Sequence, residues 1–140
     1  MKNIQLCDAT LNFKQNAFSF KEKMEIARKL EMLGVNVIEL SEIQDERTEI
    51  LLIKTIASFV KNGVISVGAS TKNGIDNANK ALMSAKNKRL RIELPLSTVG
   101  MEYTCHKKPA SMLSWVEKAV AFAKEKCADV EFCAIDASRA

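Results

Sequence analysis

Two carboxylates stand where short apolar runs give way to polar residues: Asp8, just after Ile4 to Cys7, and Glu39, close behind Val37 and Ile38. Acidic side chains at the ends of neighbouring strands suit two kinds of chemistry, holding a hard cation through oxygen or sharing acid and base work. The plainer use of such groups is structural, because a carboxylate there satisfies loop amides or an arginine. A second reactive grouping is Cys105-His106-Lys107-Lys108-Pro109, where the single histidine of the chain adjoins a thiol. A Cys-His nucleophile needs the imidazole aimed at sulfur and a third group to orient it, and sequence neighbours seldom point at each other. The positive charge of this segment, on one face with Lys14 and Lys72, offers an anionic ligand a place to land, although the commoner use of a short basic loop is simple solvation.

Strands and helices must position these groups. Apolar runs at residues 3–7, 35–40, 64–69, 90–94 and 130–134 alternate with segments of helical period, the pattern of successive βα units. Several runs are nearly continuous in apolar character, as in parallel strands covered on both faces. In the first helix Ser19 and Glu22 form a capping box, Met24, Ala27, Leu30 and Leu33 make one stripe, and Gly34 ends it. A second helix is expected over 46–62, with Ile50, Ile53, Ala57 and Val60 inward and Gly63 as its stop. A third covers 75–85, and a fourth, 111–126, buries Leu113, Val116, Val120 and Ala123. The basic run Lys86-Asn87-Lys88-Arg89-Leu90-Arg91 reads as the close of the third helix, where cations complement the helix dipole. Trp115 is expected as a core or interface filler.

Five parallel strands and four helices fit two architectures, strands one to five of a (β/α)8 barrel or an open flavodoxin-like doubly wound sheet. The open sheet ordinarily finishes with a helix after its fifth strand, whereas this sequence stops at Ala140 just past that strand. A half barrel forming one domain over 1–140 is therefore expected. The rest of the barrel would come from a longer chain, from a C-terminal partner half, or be replaced by homo-oligomeric pairing at the open sheet edge.

With 47% hydrophobic and 27% charged residues the chain has the balance of an ordered globular protein. The net charge of +4 is small and spread out, so nucleic acid is not expected as a partner. No apolar run approaches the ~20 residues of a membrane span, and MKNIQL lacks the plan of a secretory signal. Cys7, Cys105, Cys127 and Cys133 form no CxxC pair and read as reduced thiols, which places the chain in the cytoplasm.

Five stretches, in order, resemble the metal-dependent family of homocitrate synthase, isopropylmalate synthase and hydroxymethylglutaryl-CoA lyase. They are IQLCDATL, FSFKEKMEIARKLEMLGVNVIEL, GIDNANKAL, LPLSTVGMEY and VEFCAIDASRA. The resemblance implies a (β/α)8 barrel with its site at the C-terminal strand ends. It also implies a divalent metal (Mg, Mn or Zn) and addition of an acyl-CoA carbanion to a 2-oxo acid, or the reverse. Where the family continues D-x-T-L with Arg-Asp, this chain has Asn12 and Phe13. Asn12 has no charge to offset an enolate, and Phe13 offers no oxygen to a metal.

Elsewhere Glu39 matches the acidic residue of strand two and Ser97 is kept in the strand-four loop. The histidine of that loop falls at Gly100, and an acidic pair on strand five has become Ile135-Asp136, followed by Arg139. The family's H-x-H metal ligands lie beyond this sequence. The expectation is a vestigial catalytic Glu39 and a substrate-side set of Asp8, Ser97, His106, Lys107, Asp136 and Arg139 that binds a 2-oxo acid or acyl-CoA. No metal ligands or resident cofactor are expected in this chain, nor catalysis by it alone, and the rival reading is a pseudoenzyme or assembly module that binds an anion or a partner subunit.

Overall fold

Strands β1 (Cys7–Asp8), β2 (Val37–Leu40), β3 (Val64–Ala69), β4 (Lys88–Pro95) and β5 (Val130–Ile135) alternate with helices α1 (Phe20–Leu33), α2 (Glu46–Phe59), α3 (Lys72–Leu82) and α4 (Pro109–Lys126). The computed structural model describes residues 4–13 and 18–140, so Asn3 of the expected first strand and Lys14 of the expected basic face lie outside the described residues. The sheet order is β1-β2-β3-β4-β5, with every neighbouring pair parallel. A flavodoxin-like sheet reverses its winding and runs out of sequence order, whereas each strand here lies beside its predecessor. The chain is thus a curled half of a (β/α)8 barrel.

The core lies between the outer face of this wall and the helices. Ile38, Leu40, Ile65, Val67, Leu90, Ile92 and Leu94 pack there against Ile53, Ile56, Ile75, Ala78, Leu82 and Ala123. Side chains alternate along a strand, so Arg89, Arg91 and Glu93 of β4 turn to the concave side. That strand is therefore apolar on one face only, and its charges line the barrel interior.

Local signals explain the helix boundaries. At α1 the Ser19 hydroxyl accepts the Glu22 N–H and the Glu22 carboxylate accepts the Ser19 N–H, and Gly34 closes the helix at φ 75°. Leu33 is exposed, so the inward stripe ends at Leu30. Helix α2 stops at Phe59, short of the expected 62, because the Glu31 carboxylate draws the N–H groups of Lys61, Asn62 and Gly63 out of the helix at 2.9, 2.8 and 3.1 Å. Helix α3 starts at Lys72 rather than 75, since Thr71 caps it through the Gly74 N–H, and it ends at Leu82. The basic run is consequently not its close: Lys88 to Arg91 belong to β4. In α4, which opens on Pro109, Met112 and Ala119 are buried with Ala123, and Leu113 is exposed.

Candidate functional site

The concave face is organised around Arg91. Its guanidinium is 1% exposed and reaches from β4 across β3 to β2. Nη1 donates to Ser66 Oγ at 3.1 Å, Nη2 to the Leu40 carbonyl at 3.1 Å, and Nε to Glu93 Oε1 at 2.7 Å. Nη1 also lies 3.5 Å from Glu39 Oε2. The crossing needs Gly68, which pairs with Arg91 in the sheet. A Cβ there would stand 2.8 Å from Glu93 Oε2 and 3.4 Å from Arg91 Nη2.

Glu39 is the hub on the other side. It accepts from Cys7 Sγ at 2.9 Å and from Asn12 Nδ2 at 3.3 Å, so both of its oxygens are engaged. Burial and then the bond to Glu39 push the Cys7 thiol up to about 12, so it stays protonated. Burial and the nearby Glu93 raise the Cys133 thiol as well. Around Arg91 the interior therefore sets the carboxylates of Glu39 and Glu93 beside two neutral thiols, while Arg89 on the same strand pairs with Asp129 and Glu131. Asp8, on the strand beside Glu39, turns to its own loop, where its carboxylate accepts the Thr10 N–H at 3.0 Å and the Thr10 hydroxyl at 3.2 Å.

A second group forms between the loops after β4 and β5. Ser97 is buried and accepts the Gly100 N–H at 3.0 Å, and its hydroxyl faces the Asp136 carboxylate closely enough to help lower it. Asp136 sits in the left-handed region at φ 58° and holds Arg139 in a fork, Nε to Oδ1 and Nη2 to Oδ2, both 2.7 Å. The arginine first, and then the serine, lower the Asp136 carboxyl below the usual range. Ser97, Asp136 and Arg139 line a cleft of about 530 Å³ together with Pro95 and Ile135. Gly100 closes its back, because a Cβ there would come within 2.6 Å of Pro95 Cβ.

The sequence puts Asp8 and Glu39 at strand ends and groups Asp8, Ser97, His106, Lys107, Asp136 and Arg139 as one substrate-side set; in the structure Asp8 and Glu39 lie on neighbouring strands, and of that set Ser97, Asp136 and Arg139 share a cleft. His106 and Lys107 join neither group. His106 is exposed at φ 51°, and Lys107 Nζ stacks 4.8 Å from the Trp115 ring. Arg91, Glu93, Ser66 and Cys7 were missed as a site. The signal was available in Arg89-Leu90-Arg91-Ile92-Glu93-Leu94, where charge and aliphatic residues alternate with the period of a strand.

The donor set does not suit the divalent metal that the family resemblance implies. Asp8 is committed to Thr10, and a dication at Glu39 would face the buried guanidinium. Asn12 donates to Glu39 and so offers that carboxylate its amide nitrogen, while Phe13 is exposed. Among the described residues no three His, Cys, Asp or Glu side chains gather to hold a metal ion.

Sequential parallel βα units with a polar concave face define one half of a (β/α)8 barrel. The chain belongs to the HMGL-like family, whose sequence profile matches residues 3–140. It is 33% identical over 144 residues to 2-isopropylmalate synthase of Halalkalibacterium halodurans, covering 99% of this chain and 28% of that protein. The same enzyme of Aquifex aeolicus is 32% identical over 143 residues, again with 99% and 28% covered. 2-Isopropylmalate synthase 1 of Caldanaerobacter subterraneus is 31% identical over 144 residues, with 99% and 36% covered. The chain thus spans about a third or less of the length of these relatives. No helix among the described residues is long and apolar enough to cross a membrane.

Proposed function

We propose that this chain is the N-terminal half-barrel of a divergent isopropylmalate synthase-like protein, and that these residues do not perform the acyl-CoA condensation. The observation that carries this is the internal neutralisation of Glu39: the strand-two carboxylate is bound by Arg91, Asn12 and Cys7. A carboxylate with both oxygens already engaged has little left to offer a metal or a substrate. The cleft at Ser97, Asp136 and Arg139 is the part retained for ligand, with the exposed Arg139 presenting charge to the carboxylate of a 2-oxo acid or to an acyl-CoA. The four free thiols agree with a cytoplasmic setting.

The test uses the purified protein at its native length. Calorimetric titration with Mg, Mn and Zn should show no saturable binding at Glu39, and acetyl-CoA with short 2-oxo acids should release no CoA. Release of CoA that depends on the 2-oxo acid, and is lost in Glu39→Gln, would overturn the reading.

A second reading, closure of the barrel against another polypeptide, is favoured by exposed apolar side chains on both outer strands. They are Leu6 beside β1 and Phe132 and Ile135 on β5. Light scattering on the native protein decides it: a dimer or a complex with a C-terminal half is expected, and a stable monomer that captures no partner rejects it.

A further inference from the structure

The outer surface carries a groove unrelated to the barrel interior. It runs between α3 and the face of α4 bearing Trp115, Lys118, Ala119 and Phe122, with Ile75 and Lys72 opposite, and encloses about 280 Å³. Positions 115, 118, 119 and 122 recur at helical spacing, so one face of α4 supplies most of the wall. Floor and rim differ in character. The floor is aliphatic and aromatic, while the rim is cationic: Lys72 Nζ lies 4.9 Å and Lys126 Nζ 4.6 Å from the Phe122 ring centre, and Lys107 Nζ lies 4.8 Å from that of Trp115. Lys126 is paired with Asp76 at 3.0 Å, whereas no carboxylate pairs with Lys72, Lys107 or Lys118 among the described residues.

We propose that this groove binds a small amphipathic anion, with an apolar body against Ile75, Ala119, Phe122 and Trp115 and a carboxylate or phosphate head among Lys72, Lys107 and Lys118. Stacking on the rings holds Lys72 and Lys107 over the apolar floor, so the cations are placed before ligand arrives. The volume lies at the small end of ligand sites, which suits a single small molecule rather than a protein segment. None of these side chains belongs to the Arg91 network or the Ser97 cleft, so the proposal stands apart from the proposed function.

Trp115 is the single tryptophan of the chain and reports the site directly. Octanoate and octyl phosphate, titrated separately into the protein, should each change its emission saturably, and the tighter of the two identifies the preferred head group. Octanol, with the same tail and no charge, should not saturate. The variant Lys72→Gln/Lys118→Gln removes two exposed cations and should weaken binding about tenfold, the loss of one charge-assisted hydrogen bond. Unchanged far-ultraviolet circular dichroism would show that this variant is folded. A flat titration with both anions, equal response to octanol, or unaltered affinity in the double variant would each overturn the proposal.

Discussion

Arg91 of β4 lies with Nη1 3.5 Å from Glu39 Oε2 on β2, so a single buried guanidinium ties together two strands that are not neighbours in the sheet. It also donates to Glu93, Ser66 and the Leu40 carbonyl, which leaves none of its nitrogens without a partner. Removing one member of such a pair strands the others as uncompensated charge. Arg91→Met should cost about 3–5 kcal/mol of stability. Urea denaturation measures it, and adding Glu39→Gln to the same chain should recover part of the loss. A single variant as stable as the parent would mean that the crossing is idle.

The same crossing depends on an empty space at position 68. Gly68→Ala puts a methyl 2.8 Å from Glu93 Oε2, a carboxylate held by Arg91 and unable to swing aside freely. The expected penalty is about 1–3 kcal/mol, that of an overpacked site. Thermal unfolding of the variant beside the parent gives the value, and combining it with Glu93→Ala should remove most of the penalty.

Cys7 is solvent-exposed yet held protonated by partial burial and its bond to Glu39. At pH 8.5 an ordinary thiol is about half ionised and alkylates readily. Cys7 should instead react slowly with iodoacetamide, and Glu39→Gln should speed it. Mass spectrometry of the peptide carrying Cys7 follows the rate. Equal rates in parent and variant would separate the thiol from the carboxylate.

Glu31 links α1 to the turn after α2. Burial alone would raise its carboxyl, but the N–H groups of Asn62, Lys61 and Gly63 outweigh that and lower it. A carboxylate depressed in the folded state adds stability above its ordinary value, and this is lost as the pH falls through the folded value. The Tm should therefore drop between about pH 5 and about pH 3, and Glu31→Gln should flatten that drop. An unchanged profile would show that the turn does not need the charge.

Much of the fold was legible because βα units advertise themselves locally. Ser19 with Glu22 and Gly34 marked both ends of the first helix, and Val64 to Ala69 was found at its observed bounds. What failed depended on contacts distant in sequence. The end of α2 is set by Glu31, some thirty residues earlier, which no local stop signal reveals. Arg89 and Arg91 looked like helix-closing cations because a run of basic residues invites that reading. Their true role required knowing that Glu39, Glu93, Asp129 and Glu131 would stand around them. Ser97, Asp136 and Arg139 were named through family resemblance, while His106 was named for the basic segment and the thiol beside it, and a local run cannot reveal that it turns away from the cleft.

Gly100 restricts what the loop after β4 can carry. The family resemblance puts a histidine at this position, but the backbone passes so near Pro95 that a Cβ would come within 2.6 Å of it. Restoring the side chain alone would force the loop apart and disturb the Ser97 bond to the Gly100 N–H. A side chain at position 100 fits only with a smaller or displaced neighbour at position 95. Position 100 is thus closed to any side chain while Pro95 stands where it does, whatever that side chain could contribute to the cleft.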